Sequence, residues 1–174
     1  LRYCLWIKDA EAEEAKAIAE IEDRIQSVKN ERLASKADST RKYAQQPHKF
    51  VQIQGTGSKQ SIICPRVSSE RREYLPTALA DGKTIVADSA FALYDAPLWS
   101  MSLIASRLHL TWIGTVCGKL KTDFRYSNTL GWNTFPVPKL TEQNKQDLTK
   151  CAEDILLARE AHFPATIADL YDHD

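Results

Sequence analysis

Glycine is scarce, 6 in 174 residues, and no Gly-rich turn follows a strand in the way that holds a nucleotide-like cofactor. The sequence also lacks a phosphate loop, a G-x-S-x-G elbow and an H-E-x-x-H pair, which removes three common routes to catalysis. Its four cysteines, Cys4, Cys64, Cys117 and Cys151, form no C-x-x-C pair and stand near no histidine at finger spacing. That argues against a zinc site, and thiols spaced so widely read as free thiols of a cytoplasmic protein. No apolar run is long enough to span a membrane, and no signal peptide is found. The chain starts at Leu1 without Met, and we expect a piece of something larger.

Net charge is absent too, with 23 Lys/Arg against 23 Asp/Glu, but the charges are segregated. Residues 1–23 hold three Lys/Arg against seven Asp/Glu, a balance of −4. Residues 24–138 hold sixteen against eight, +8, and residues 139–174 hold four against eight, −4. A basic middle between acidic ends is the footprint an anionic partner such as nucleic acid would leave. Terminal helices that merely happen to be acidic would leave it as well.

What is present reads as an α+β chain. RYCLWI (2–7) is aromatic and β-rich, and predicts a strand. Residues 8–46 have no Gly or Pro; Ile18, Ile21, Ile25 and Val28 recur at helical spacing, and Asp9 is a plausible N-cap. They predict one long connector helix whose basic end, Lys29 to Lys42, could graze a phosphate backbone. KFVQIQ (49–54), KQSIICPRV (59–67), YLPTAL (74–79), KTIVAD (83–88) and AFALYD (90–95) predict strands of a mixed, mainly antiparallel sheet. Asp81-Gly82 between two of them is the clearest hairpin signal. Pro97 and Gly118 bracket one buried helix with a Leu98, Met101, Ala105, Leu108, Trp112 stripe. Thr141 opens a last helix, to about residue 162, before a short helical tail. These boundaries suggest a strand and connector at 1–46, a central domain at 47–138 and a helical segment at 139–174.

No catalytic constellation emerges. His109 could act as a base, or it could be a core histidine satisfied by its neighbours. Two places carry phosphate-binding chemistry: the hydroxyl- and Arg-rich Arg66, Ser68, Ser69, Arg71, Arg72 segment, and Arg107 on the buried helix. The first could be a capped turn, and the second could simply snorkel. In KLKTDFRY (119–126), alternation gathers Lys119, Lys121, Asp123 and Arg125 on one face of a strand. Lysine donates to guanine O6/N7 and aspartate accepts from cytosine N4. Side chains two apart stand about 6.5–7 Å from one another. Lys121 and Asp123 therefore match the two halves of a G·C pair, and Arg125 could take another guanine or a phosphate. A solvated ion pair, worth under about 1 kcal/mol, is the alternative.

RYCLWIKDA, PRVSSERREYLP, SRLHLTW and GKLKTDFRYSNTLGWNTFPVP occur in this order, from Arg2 to Pro138. In them the chain resembles the MmeI-like (type IIL/IIG) restriction–modification proteins. In that family a nuclease and an adenine-N6 methyltransferase domain precede a target recognition domain and a helical C-terminal segment. The resemblance implies that this chain is the recognition domain, binding double-stranded DNA for an upstream methyltransferase domain of the same protein. The family's base-reading positions fall on Lys121, Asp123 and Arg125, with a further one near Ser89; Lys119 joins the backbone contacts. Trp132 stands where a Tyr is usual, and Val137 replaces a Trp in F-P-x-P. The N-P-P-Y tetrad and the S-adenosylmethionine-binding glycines are absent. The cofactor, methyl transfer and any endonuclease would therefore belong to the parent enzyme. A helical interaction or scaffold domain without DNA contact is the rival expectation.

Overall fold

The structure, a computed structural model, describes residues 3–51 and 55–172. Two compact units divide it, Leu1–Ile53 and Gln54–Asp174. Helices and antiparallel sheets make up the fold, and the class is α+β.

The first unit is helical, but its helix is broken. A 3-10 turn (Asp9–Glu11) precedes α1 (Ala12–Lys16), α2 (Ala19–Ala34), α3 (Asp38–Lys42) and a second 3-10 turn (Tyr43–Gln45). Ser35 stops α2 in an extended conformation, and its hydroxyl accepts from the Ala37 amide (3.2 Å). Serine competes with the helix in just this way. The chain then folds back, and Arg32 donates to the carbonyls of Tyr43 (2.9 Å), Gln46 (2.9 Å) and Lys49 (2.6 Å). Part of the basic end is thus spent on closing a helical hairpin. Asp9 is no N-cap; its carboxylate meets His48 (2.9 Å) and Lys49 (2.6 Å). Residues 3–7 form no strand; Trp6 stacks on Phe50 with ring centres 5.8 Å apart. Residues 49–51 are irregular, and the remainder of that expected strand, 52–54, lies outside the described residues, as does Arg2.

The second unit holds two three-stranded sheets. In the first, β1 (Gln60–Pro65) lies between β3 (Ala78–Asp81) and β4 (Ala90–Tyr94). In the second, β6 (Asp123–Arg125) lies between β2 (Val67–Ser68) and β5 (Lys119–Leu120). Arg66 is the step from β1 into β2, just after Pro65, which has no amide to continue the ladder. The Asp81-Gly82 turn does not make a hairpin, and 83–88 is not a strand. The Asp81 side chain instead accepts from the Lys83 amide (3.0 Å) and the Thr84 hydroxyl (2.8 Å). Gly82 meanwhile donates to the Lys59 carbonyl (2.9 Å).

The buried helix is two helices, α4 (Trp99–Ala105) and α5 (Arg107–Val116). Ser106 is extended between them and caps α5 by accepting from the His109 amide (3.1 Å). The break turns Leu108 out of the expected stripe, leaving it 72% exposed. α6 (Glu142–Glu160) starts from a Thr141–Asn144 capping box and packs on α4 through fully buried Ala152 and a Ser102-to-Leu148 carbonyl bond (2.6 Å). α7 (Ile167–Tyr171) ends the described chain. Ile62, Cys64, Leu75, Met101, Ile104 and Ile113 form the core beneath the first sheet. Burial there pushes the Cys64 thiol up to about 12, so it stays a neutral packing group.

Candidate nucleic-acid interface

KLKTDF closes on itself. Lys119 pairs with Phe124 and Leu120 with Asp123, so Lys121 and Thr122 are the tip of a two-residue hairpin, not the middle of a strand. Lys121 adopts φ 59°, the left-handed region that favours glycine. No Gly, Asn or Asp marks this turn, so the sequence offers no hairpin signal and alternation is misread across it.

The turn re-sorts the charges. Residues directly opposite in an antiparallel ladder share a face, and successive residues alternate. One face holds Lys119, Phe124 and Ser68; the other holds Leu120, Asp123, Arg125 and Val67. The first is the inner face. Ser68 is 2% exposed, and Phe124 lies against α5 so closely that a Cβ on Gly114 would come within 2.9 Å of its ring. Lys119 therefore leaves the charged set. Its ammonium lies over the Phe124 ring (5.6 Å) and 3.5 Å from the Glu70 carboxylate. The outer face keeps Asp123 and Arg125, with Lys121 projecting from the hairpin end.

Below the hairpin the backbone ladder ties three expected site positions into one row. The Arg66 amide donates to the Ser89 carbonyl (3.0 Å), and the Tyr126 amide donates to the Arg66 carbonyl (2.8 Å). Val67 sits opposite Arg125. Ser89, exposed at the entry to β4, is thereby linked through Arg66 to the end of β6. Arg66 itself is bound to Asp88, through its carbonyl (3.0 Å) and its carboxylate (2.6 Å), and covers Phe91.

A buried couple fixes β6 from behind. The Tyr126 hydroxyl and His109 Nε2 are 3.0 Å apart, and the imidazole meets Phe135 edge-on at 4.5 Å. Burial holds the imidazole down at about 4, so it is neutral. His109 is thus a core histidine bonded to one partner, although its Nδ1 has none among the described residues. A Cβ on Gly131 would come within 2.3 Å of the Tyr126 ring, so only glycine lets the turn at Asn128–Trp132 lie on it. No local pattern in the sequence announces the Tyr126–His109 pair, because the two meet only through tertiary packing.

The other expected backbone contacts separate. Arg71 and Arg107 are exposed, and Ser69 is half-buried, its hydroxyl accepting from the Arg71 amide (3.3 Å). Arg72 is committed to Asp172 (Nε to Oδ1, 3.1 Å). Ser68 is buried, so its hydroxyl does not face solvent as a surface loop would require. The Ser58–Gln60 amides form a further anion-binding arc, but the Asp95 carboxylate fills it (2.9, 2.8 and 3.4 Å), held down to about 2 by those bonds. Among the described residues no cluster of His, Cys, Asp and Glu could hold a metal ion. No described helix is long and apolar enough to cross a membrane.

Comparison with known proteins identifies the family of the chain. Residues 1–139 match the family described as MmeI, target recognition domain. DNA methyltransferase A of Bacillus subtilis (strain 168) is 41% identical over 172 residues, covering 99% of this chain and 19% of that protein. A solved structure of the type IIL restriction-modification enzyme MmeI in complex with DNA superposes with a TM-score of 0.89 at 32% identity. That match covers 97% of this chain and 22% of MmeI, so the chain spans about a fifth of the length of either relative.

Proposed function

We propose that this chain, which belongs to the MmeI target recognition domain family, is the sequence-reading module of a DNA adenine-N6 methyltransferase or restriction–modification enzyme. The observation that carries the proposal is the outer hairpin face, where Asp123 and Arg125 stand together beneath a strained Lys121 tip. A two-stranded ribbon fits the major groove, where every base pair shows a distinct donor and acceptor pattern. Lys121 donates to a guanine edge, Asp123 accepts from a cytosine amino group, and Arg125 takes a neighbouring guanine or phosphate. Ser89 reads from the row below. Ser69, Arg71 and Arg107 hold the phosphate backbone. Backbone strain at a lysine is consistent with such a role, since strained residues concentrate at functional sites.

In this reading residues 47–138 recognise DNA, residues 1–46 connect to an upstream methyltransferase domain, and residues 139–174 are helical support. The parent works in the cytoplasm. Methyl transfer uses S-adenosylmethionine bound elsewhere in the parent. The residues of this chain do not fit that group: no Gly-rich turn follows a strand, and the amide arc after Gly57 is occupied by Asp95. Binding of the parent protein to duplex DNA at several salt concentrations tests the proposal. Phosphate contacts give a steep fall of affinity with salt, with a slope reduced by about 1 in Arg71→Ala. A salt-independent or undetectable interaction would favour a scaffold without DNA contact.

A further inference from the structure

Each charged residue of the outer hairpin face has an apolar residue directly across the ladder, Leu120 opposite Asp123 and Val67 opposite Arg125. Both are open to solvent, Leu120 by 51% and Val67 by 38%. Neither belongs to the core cluster, which includes Tyr126 and has Phe124 packed against it. Each is partly covered by its neighbours yet keeps apolar surface turned outward on the charged face. Cross-strand side chains stand about 4.5–5.5 Å apart, and side chains two apart on one strand about 6.5–7 Å apart. Stacked bases repeat every 3.4 Å or so. A ribbon whose charged residues meet base edges two steps apart therefore brings its apolar residues against the base edges beside them.

We infer that Leu120 and Val67 are specificity-determining residues that read the C5-methyl groups of thymines flanking the base pairs taken by Asp123 and Arg125. The inference rests on the base-reading role proposed above and extends it to the apolar half of the face. In the major groove, thymine is the base that offers a methyl, and an apolar side chain is what meets it. Leu120 and Val67 would also shield the carboxylate and guanidinium from water once the groove closes over them. Hydrogen bonds to bases are worth more in that drier setting.

Uracil removes the methyl and nothing else. The parent protein is given duplexes in which each thymine of its recognised sequence is replaced singly by uracil, and binding is measured. The wild type is expected to lose about fourfold in affinity at one or two positions, the worth of one buried methyl group. Leu120→Ala and Val67→Ala should each bind the thymine and uracil duplexes equally at one of those positions. Asp123→Ala, tested alongside, should flatten discrimination at a different base pair. Equal wild-type binding to thymine and uracil everywhere, or a site without thymine, overturns the inference and leaves the Asp123 result to stand. Thymine preference that persists in both alanine variants overturns it also. An Asp123→Ala protein with unaltered discrimination overturns the base-reading role on which the inference rests. The wild-type comparison needs no variant to fold.

Discussion

The two sheets of the second unit differ in what their side chains do. β1 of the first sheet alternates buried residues into the core, with Ile62 and Cys64 fully enclosed. The second sheet has strands of two or three residues, and much of its outer surface is exposed. The first is held by apolar burial and by register with two neighbours. The second is held at its back by Phe124 against α5 and Tyr126 against His109, which leaves its front free to carry charge. The packed sheet and the charge-bearing sheet are therefore separated by only one residue, Arg66, where the chain passes from one to the other. A short ribbon on a packed support is precise without having to be stable by itself, because isolated hairpins are marginal in water.

Perturbations of the two sheets should separate in the same way. The largest expected effect is Ile62→Ala, which removes fully buried volume from the first sheet and should cost about 2–5 kcal/mol in denaturant unfolding. Arg125→Ala, on the exposed face of the second, should stay within about 0.5 kcal/mol. A comparable loss in both would mean that the second sheet is part of the same core.

A smaller effect is expected from pH. His109 titrates near its ordinary 6.5 when unfolded and at about 4 when folded. Between these values the unfolded chain binds a proton that the folded chain does not, so stability should fall as pH drops from 6.5 towards 4. The loss is on the order of 2 kcal/mol after allowance for solvent screening, and thermal unfolding of wild type against His109→Gln would measure it. A variant with an unchanged pH slope would place the titration on another group.

The hairpin tip should respond by a small gain, in the opposite direction. Lys121→Gly removes a side chain from a left-handed position and should raise stability by up to about 1 kcal/mol while weakening recognition at one base pair. A stability gain with recognition intact would make Lys121 an ordinary turn residue.

Much of this arrangement was legible before folding was considered. The strands β1 and β4, the Thr141 cap of α6 and the α+β class follow from alternation and from capping chemistry. What was not legible has identifiable causes. Ser35 and Ser106 stop helices by offering hydroxyls to nearby amides, and nothing in the apolar period marks them. The Asp81-Gly82 signal was real turn chemistry, but Asp81 spent it on Lys83 and Thr84 instead of on a hairpin. The hairpin that does form turns at Lys121-Thr122, with none of the residues that usually announce one. Alternation across 119–126 therefore kept Asp123 and Arg125 together correctly but added Lys119, which the turn sends to the inner face. The partners of the face, Val67 from β2 and Ser89 through Arg66, come from distant sequence and needed the ladders to be seen.

The most direct measurement is the set of DNA sequences modified by the full-length parent carrying Lys121→Glu together with Asp123→Arg. The exchange swaps donor and acceptor while leaving the turn and its support in place. We expect one base pair of the recognised sequence to move from G·C towards C·G, with the rest unchanged. Modification of the same sequences as the wild type would contradict the assignment of the hairpin tip to base reading.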